Sequence, residues 1–259
     1  MNSVITGGSG FIGSHLAEEL LKKGHKVIVI DNFSVGKIDN LLKISDKITL
    51  VKEDINNYKK ISKFFKNIDN VYHFAALADI VPSIENPRQY FDVNVTGTMN
   101  VLSLSKKNKI KRFIYAASSS CYGIPKKYPT NEKSTISPQY PYALTKWMGE
   151  ELVIHYSKIY KLNATSIRFF NVYGPRARTS GTYGAVFGVF LGQKLGGKPL
   201  TIVGDGKQKR DFTYVSDAVD AIYKISLKKN LRSEILNVGS GETISINKIA
   251  KLIGGPKVY

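Results

Sequence analysis

With 259 residues, 42% of them hydrophobic and 22% charged, the chain can bury a substantial core in one large α/β domain or one domain with a small appendage; that composition and the lack of a long apolar run exclude a disordered chain and a membrane span. A single cysteine, Cys121, excludes an intramolecular disulfide, and His15, His25, His73 and His155 show no ligand spacing with it, so no metal and a reducing cytoplasm are expected. The formal net charge of +18 would suit a nucleic acid, but lysines are scattered as Lys22-Lys23, Lys59-Lys60, Lys106-Lys107, Lys126-Lys127 and Lys228-Lys229, with no arginine-rich block, and read as a solvated surface that attracts small anions.

The chain opens on the apolar residues Val4-Ile5, a strand that leaves no room for a signal peptide. Thr6-Gly7-Gly8-Ser9-Gly10-Phe11-Ile12-Gly13 then joins this strand to an amphipathic helix in which Ile12, Leu16 and Leu20 recur every fourth residue. Gly7 can turn the chain with positive φ, Gly10 lets backbone N–H groups approach a pyrophosphate, and Gly13 lets the helix pack close to the strand. The helix N-terminus faces the anion with its unpaired donors. The next apolar run, Val27-Ile28-Val29-Ile30, ends in Asp31, about twenty residues after the turn, where a carboxylate can accept both hydroxyls of an adenosine ribose. It would repel a 2′-phosphate, which favours NAD over NADP.

After a loop at Asn32-Phe33-Ser34-Val35-Gly36, a third short strand runs over about 48–51 and leads to Asp54-Ile55. Asp54 suits an adenine edge, and equally a cap for the helix carrying Tyr58, Ile61, Phe64 and Phe65. Val71-Tyr72-His73-Phe74-Ala75-Ala76 is the fourth run; its alanines leave space where a cofactor would cross the strand ends, and His73 reads as a strand histidine satisfied by neighbours. Pro87 is expected to open a long helix through Tyr90, Val93, Val95, Met99 and Leu102, with Asn94 buried in it.

The fifth strand, about 112–117, ends in Ser118-Ser119-Ser120-Cys121-Tyr122-Gly123, which gathers hydroxyls at the carboxyl edge of the sheet, where open α/β sheets bind ligands. Cys121 has no base assigned to it and reads as a small buried residue. A loop with four prolines, 125–141, precedes a helix carrying Tyr142-Ala143-Leu144-Thr145-Lys146, which puts Tyr142 and Lys146 on one face. A phenol takes a proton at neutral pH only when positive charge stabilises its anion, and a neighbouring ammonium and an oxidised nicotinamide both do so.

Taken together, Thr6-Gly7-x-x-Gly10-x-x-Gly13, Asp31, Ser118 and Tyr142-x-x-x-Lys146 resemble the extended short-chain dehydrogenase/reductase family, and within it the nucleotide-sugar epimerases. The likeness continues through Arg168-Phe169-Phe170-Asn171-Val172-Tyr173-Gly174-Pro175 and Arg210-Asp211-Phe212-Thr213-Tyr214-Val215. It implies a Rossmann-type, doubly wound parallel sheet over 1–170 that binds NAD, with segments of about 201–238 returning to it. A smaller substrate-binding subdomain is implied over 171–199 and 239–259.

By the same resemblance, Ser118 hydrogen-bonds the sugar hydroxyl being oxidised, Tyr142 is the acid/base, and Lys146 orients the cofactor ribose and the phenol. The implied cofactor set is Gly7, Gly10, Phe11, Ile12, Gly13, Asp31, Asn32, Asp54, Ile55, Phe74, Ala75, Ala76, Tyr142, Lys146 and Phe169. The implied substrate set is Ser118, Ser119, Ser120, Tyr142, Asn171 and Arg210, the last two on the nucleotide diphosphate, for which an amide and a guanidinium fork are chemically suited. Read as residues alone, Arg210 could equally pair with Asp211, and Asn171 could stabilise a turn.

Family dehydratases and uronate decarboxylases place an acidic residue shortly after the position of Ser118, where this chain has Ser119 and Ser120, so epimerisation at carbon 4 of a UDP-hexose, UDP-N-acetylhexosamine or uronic acid is expected. The family pattern runs several tens of residues beyond the position of Tyr259, into a substrate-covering region with another arginine. The rival readings are a nucleotide-sugar reductase or dehydrogenase with exchangeable cofactor and, from a different class, a basic nucleic-acid-binding protein on the same scaffold. A homodimer pairing helices near 87–107 and 142–160 is also implied.

Overall fold

The computed structural model describes residues 1–177, 186–228 and 231–259. Residues 178–185, within the expected 171–199 segment, and Lys229 of the Lys228-Lys229 pair lie outside the described residues.

The first half runs β1 (Asn2–Thr6), α1 (Phe11–Lys22), β2 (Lys26–Asp31), β3 (Ile48–Lys52), α2 (Tyr58–Ile61), β4 (Asn70–His73), α3 (Ile80–Glu85), α4 (Pro87–Phe91), α5 (Thr98–Lys107), β5 (Arg112–Ser118), α6 (Pro141–Tyr160) and β6 (Ala164–Phe169). The second half adds β7 (Val172–Tyr173), α7 (Val186–Leu195), β8 (Leu200–Thr201), β9 (Lys209–Asp211), β10 (Thr213–Tyr214), α8 (Val215–Leu227), β11 (Glu234–Val238), β12 (Thr243–Ser245), α9 (Ile246–Ile253) and β13 (Lys257–Val258).

Seven strands form one parallel sheet in the order β11-β6-β5-β4-β1-β2-β3. Their near-continuous apolar runs are those of strands covered on both faces. On one face, Leu16, Ala17 and Leu20 of α1 and Ala218, Val219 and Ile222 of α8 pack on Ile5, Val29, Ile114 and Ile167. On the other, Val101, Leu102 and Leu104 of α5 and Val153 and Tyr156 of α6 pack on Val4, Ile30, Val71 and Phe113. Each such side chain contributes about 1.5–3 kcal/mol when fully buried, so the sheet is a stiff platform. The buried Arg112 guanidinium donates to the Ile225 carbonyl at 3.0 Å, placing its charge at the negative end of α8.

Strand order reverses between β1 and β4, which opens a crevice above their carboxyl ends. Leu200–Thr201 pairs instead with Lys257–Val258, and Leu200 and Ile202 share a small separate core with Phe190, Ile246, Ile249 and Ala250. Within the expected 201–238 return, the strand that joins the main sheet is therefore β11.

Three local features depart from the sequence reading. A 3-10 helix at Ile38–Ile44 follows the loop after Asp31 and buries Leu41 and Ile44. The helix bearing Phe64 and Phe65 is α for only one turn and tightens to 3-10 over Ser62–Phe65. The helix opened by Pro87 widens to π geometry over Asp92–Gly97 before resuming as α5. Among the described residues no helix is long and apolar enough to cross a membrane.

Candidate active site

The glycine turn lies across the crevice between β1 and β4. Gly7 has φ +72°, and a Cβ there would meet the Ala75 nitrogen at 2.5 Å. A Cβ on Gly13 would meet the Gly7 carbonyl oxygen at 2.4 Å, so α1 leaves the turn closer than a side chain permits. Gly10 caps α1 without a side-chain acceptor and no acidic residue sits in the first turn with Phe11 and Ile12, so the N–H groups there are donors for an anion. The Ser9 hydroxyl is buried with no partner among the described residues.

The Asp31 carboxylate, 7% exposed, accepts the Ser9 and Phe33 N–H groups, each at 2.9 Å. A carboxylate offers about four lone-pair sites, so capacity remains for ribose hydroxyls. Phe74 and Phe169, with ring centroids 6.3 Å apart, pack into the core at the carboxyl ends of β4 and β6, and Ala75 and Ala76 follow Phe74 in sequence. Turn, orphaned hydroxyl and carboxylate together fit the pyrophosphate and adenosine of a dinucleotide.

Asn32 donates to Asp54 at 2.7 Å, and Asp54 accepts the Asn56 N–H at 2.7 Å, so Asp54 closes the turn before α2 instead of capping that helix, whose N-cap is Asn57 with no side-chain bond. Ile55 is 4% exposed and belongs to the core: a Cβ on Gly97 would meet its Cδ1 at 2.4 Å.

At the carboxyl end of β5, Ser118 Oγ lies 2.8 Å from Ser120 Oγ and accepts the Ser120 N–H at 3.2 Å. Both hydroxyls are directed at the phenol of Tyr142, in the first turn of α6, and favour its anion. Burial outweighs them and raises the phenol above its ordinary value, and the Asp79 carboxylate after β4 acts in the same direction. Positive charge must therefore do the lowering. Lys146 is one turn along the same helix face and only 5% exposed, with Nζ 4.4 Å from the Tyr115 ring centroid. Burial pushes its ammonium down to about 7, opposed by the carboxylate of Glu150.

His73 is buried between Thr6 Oγ1 at 2.6 Å and Thr98 Oγ1 at 2.8 Å, and burial pushes it down to about 3, so it is a neutral strand histidine. Burial pushes the Cys121 thiol up to about 12, which leaves it no nucleophilic character at neutral pH.

Asn171 and Arg210 lie beyond the main sheet, in the turn-rich second half. Asn171 donates to the Asp211 carbonyl at 2.7 Å, a contact across 40 residues that ties the start of β7 to the end of β9 and closes no turn of its own. Arg210 is exposed on β9, which pairs with β12, and donates to the Lys209 carbonyl at 2.9 Å. Asp211 does not pair with it; its carboxylate accepts the Ser240 and Gly241 N–H groups at 2.8 and 2.9 Å.

Two positions beside the site carried no assigned role in the sequence. A Cβ on Gly36 would strike Ser9 Oγ at 2.0 Å, and Asn40 Nδ2 reaches the Ser9 carbonyl at 2.8 Å, so this segment lies over the glycine turn. Asn94, carried inward by the π turns, accepts the Leu77 N–H at 2.8 Å and donates to the Leu77 carbonyl and to Thr145 Oγ1, each at 3.0 Å. It thereby clamps the loop after β4 to the helix of Tyr142.

A doubly wound sheet with a glycine-turn dinucleotide site and a Ser–Tyr–Lys constellation on one carboxyl edge defines a nicotinamide-dependent enzyme of the extended short-chain dehydrogenase/reductase type. The profile of the NAD dependent epimerase/dehydratase family matches residues 3–239. The chain belongs to that family, whose cofactor is NAD. It is 36% identical to a putative UDP-glucose 4-epimerase of Methanocaldococcus jannaschii, over 96% of this chain and 80% of that protein. It is 37% identical to a UDP-N-acetyl-alpha-D-glucosaminuronate decarboxylase of Bacillus cytotoxicus, over 96% of this chain and 78% of that protein. Its fold superposes with a TM-score of 0.91 on UDP-glucuronic acid 4-epimerase from Bacillus cereus, solved with UDP-glucuronic acid and NAD, at 35% identity over 99% of this chain and 85% of that one.

Proposed function

We propose that the protein is a nucleotide-sugar 4-epimerase acting on a UDP-linked hexose, N-acetylhexosamine or uronic acid. The observation that supports this reading is the Ser120 hydroxyl, directed with that of Ser118 at the Tyr142 phenol: Ser119 and Ser120 follow Ser118 where a decarboxylase or dehydratase of the family would place an acidic residue. Without that group the turn after β5 supplies no acid/base for elimination next to carbon 4.

In this reading Ser118 holds the sugar's 4-hydroxyl, and the Tyr142 phenolate takes its proton and later returns it. Lys146 keeps the positive charge that makes a phenolate attainable in a buried setting. NAD, when bound on Gly7, Gly10, Gly13 and Asp31, supplies reversible hydride transfer at carbon 4. The 4-keto sugar must turn over in the cleft, so the diphosphate is gripped while the ring is not; Asn171 and Arg210 are assigned to that grip, and 171–199 with 239–259 to the substrate side. The chain is further proposed to form a homodimer through α4, α5 and α6, on which Phe91, Met99, Leu144 and Ile159 are exposed.

The test is incubation with a panel of UDP-sugars, followed by NMR for a new C4 stereoisomer. Isomerisation without carbon dioxide or accumulated NADH is expected. Loss of carbon dioxide would replace this reading with a decarboxylase, and stoichiometric NADH with a dehydrogenase.

A further inference from the structure

A buried ionic cluster lies behind Tyr142 and has no part in the chemistry just described. Glu150 and Arg168 are 0% and 2% exposed, and the Glu150 carboxylate accepts Arg168 Nε at 3.0 Å and Ser166 Oγ at 2.8 Å. Glu150 also follows Lys146 by one helical turn on α6, so the carboxylate that pairs with Arg168 acts through its charge on a second buried cation without touching it. A Cβ on Gly149 would meet the Tyr115 hydroxyl oxygen at 2.3 Å and the Asn94 carbonyl oxygen at 3.1 Å. That contact presses α6 onto β5, and it is this approach that sets Lys146 over the ring of Tyr115.

The groups acting on Lys146 are Tyr115 from β5, His73 from β4 and Glu150 from its own helix, which carries Tyr142 one turn earlier. Tyr115 and Tyr142 are phenols raised by burial and His73 is neutral, so among these groups Glu150 is the anion. The same pair reaches the serine turn. Arg168 donates to the Tyr122 hydroxyl at 2.7 Å, which donates in turn to Asn237 Oδ1 at 2.8 Å, and Tyr122 closes the 3-10 turn that begins at Ser119.

We infer that Glu150 is a positioning residue for the proposed reaction: from one turn beyond Lys146 it keeps that lysine a cation inside the fold, and through Arg168 it ties the helix of Tyr142 to the turn of Ser118 and Ser120. This rests on Tyr142 and Lys146 being the acid/base pair of the proposed epimerase. An ammonium without a counter-charge in this setting gives up its proton, and among the described residues Glu150 is the carboxylate that acts on Lys146. A carboxylate can hydrogen-bond Arg168 and act through its charge on Lys146 at once, whereas a neutral amide supplies no charge.

The test reads Lys146 directly, by NMR titration of the full chain carrying ¹³Cε-lysine, with the resonance assigned by its absence in Lys146→Met. The wild-type midpoint is expected at about 7. Glu150→Gln should lower it by about one pH unit or more and move the alkaline limb of turnover with it, and Glu150→Asp should fall between. Removing Glu150 alone strands Arg168 in the core, so the titration is repeated in Glu150→Gln/Arg168→Met, which removes both charges and should still show a downward shift, smaller because a cation leaves with the anion. A purely structural role would lower thermal stability and leave the midpoint in place. An unmoved midpoint in an active enzyme overturns this inference alone; a midpoint that moves in a chain that turns over no UDP-sugar overturns the proposed reaction and leaves the hold of Glu150 on Lys146 standing.

Discussion

Two regions of this molecule are assigned to phosphate, the glycine turn above β1 and the β9–β12 corner bearing Arg210, and they are built by opposite means. In the first the donors are backbone N–H groups, fixed by close packing: Gly13 sits where a Cβ would be 2.4 Å from the Gly7 carbonyl oxygen. In the second the proposed donors are the side chains of Asn171 and Arg210, on short segments beside the Asp211 carboxylate, which holds the 240–241 turn. A backbone site is rigid and indifferent to what else the ligand carries, which suits a cofactor that stays. A side-chain site on an exposed corner holds one end of a ligand and leaves the other free to rotate, which suits a sugar presented on both faces.

Tyr142 carries the proposed proton transfer, so its removal is expected to have the largest effect. Tyr142→Phe should reduce turnover by on the order of 10³-fold while NAD binding, followed by calorimetry, stays within a factor of two or so. Substantial activity in that variant would separate the chemistry from this helix altogether.

Gly13→Ala comes next and should break the comparison on one side only. Its Cβ has no room, and an overpacking cost of about 1–3 kcal/mol corresponds to a loss of NAD affinity of up to about 10²-fold, with affinity for UDP, measured separately, much less affected. Arg210→Ala is the mirror experiment. The KM for the UDP-sugar should rise about tenfold through loss of a charge-assisted contact, with NAD affinity unchanged. Because Arg210 is exposed, thermal stability should hold within about 0.5 kcal/mol. If both variants weakened both ligands equally, the division of labour would be wrong.

Asp31→Asn is expected to have the smallest effect. It keeps an acceptor for the Ser9 or Phe33 N–H but removes the charge, so the preference for NAD over NADP should narrow several-fold in competition binding without loss of the fold.

What the amino-acid sequence disclosed follows the same division. The glycine spacing, Asp31 at the end of β2 and Tyr142 with Lys146 on one helical turn are local constraints, and each stands where the strand and helix periodicities put it. Gly36 and Asn94 were opaque in their roles because what makes them matter lies far along the chain: Gly36 is shaped by Ser9, and Asn94 joins Leu77 to Thr145 through π turns that no periodicity announces. Asp211 beside Arg210 looked like an ion pair by adjacency, yet alternation along β9 sends neighbouring side chains to opposite faces, and the Ser240 turn takes the carboxylate. Glu150 had no role in the sequence reading, because its partner Arg168 reaches it only through the placement of β6 beside β5.

The most direct test of the central claim, that Tyr142 relays a proton while the hydrogen at carbon 4 leaves and returns within one closed site, is to follow a UDP-sugar deuterated at carbon 4 through turnover. The deuterium should be found at carbon 4 of both stereoisomers, undiluted by solvent. Its appearance in water or on released nicotinamide would contradict the claim.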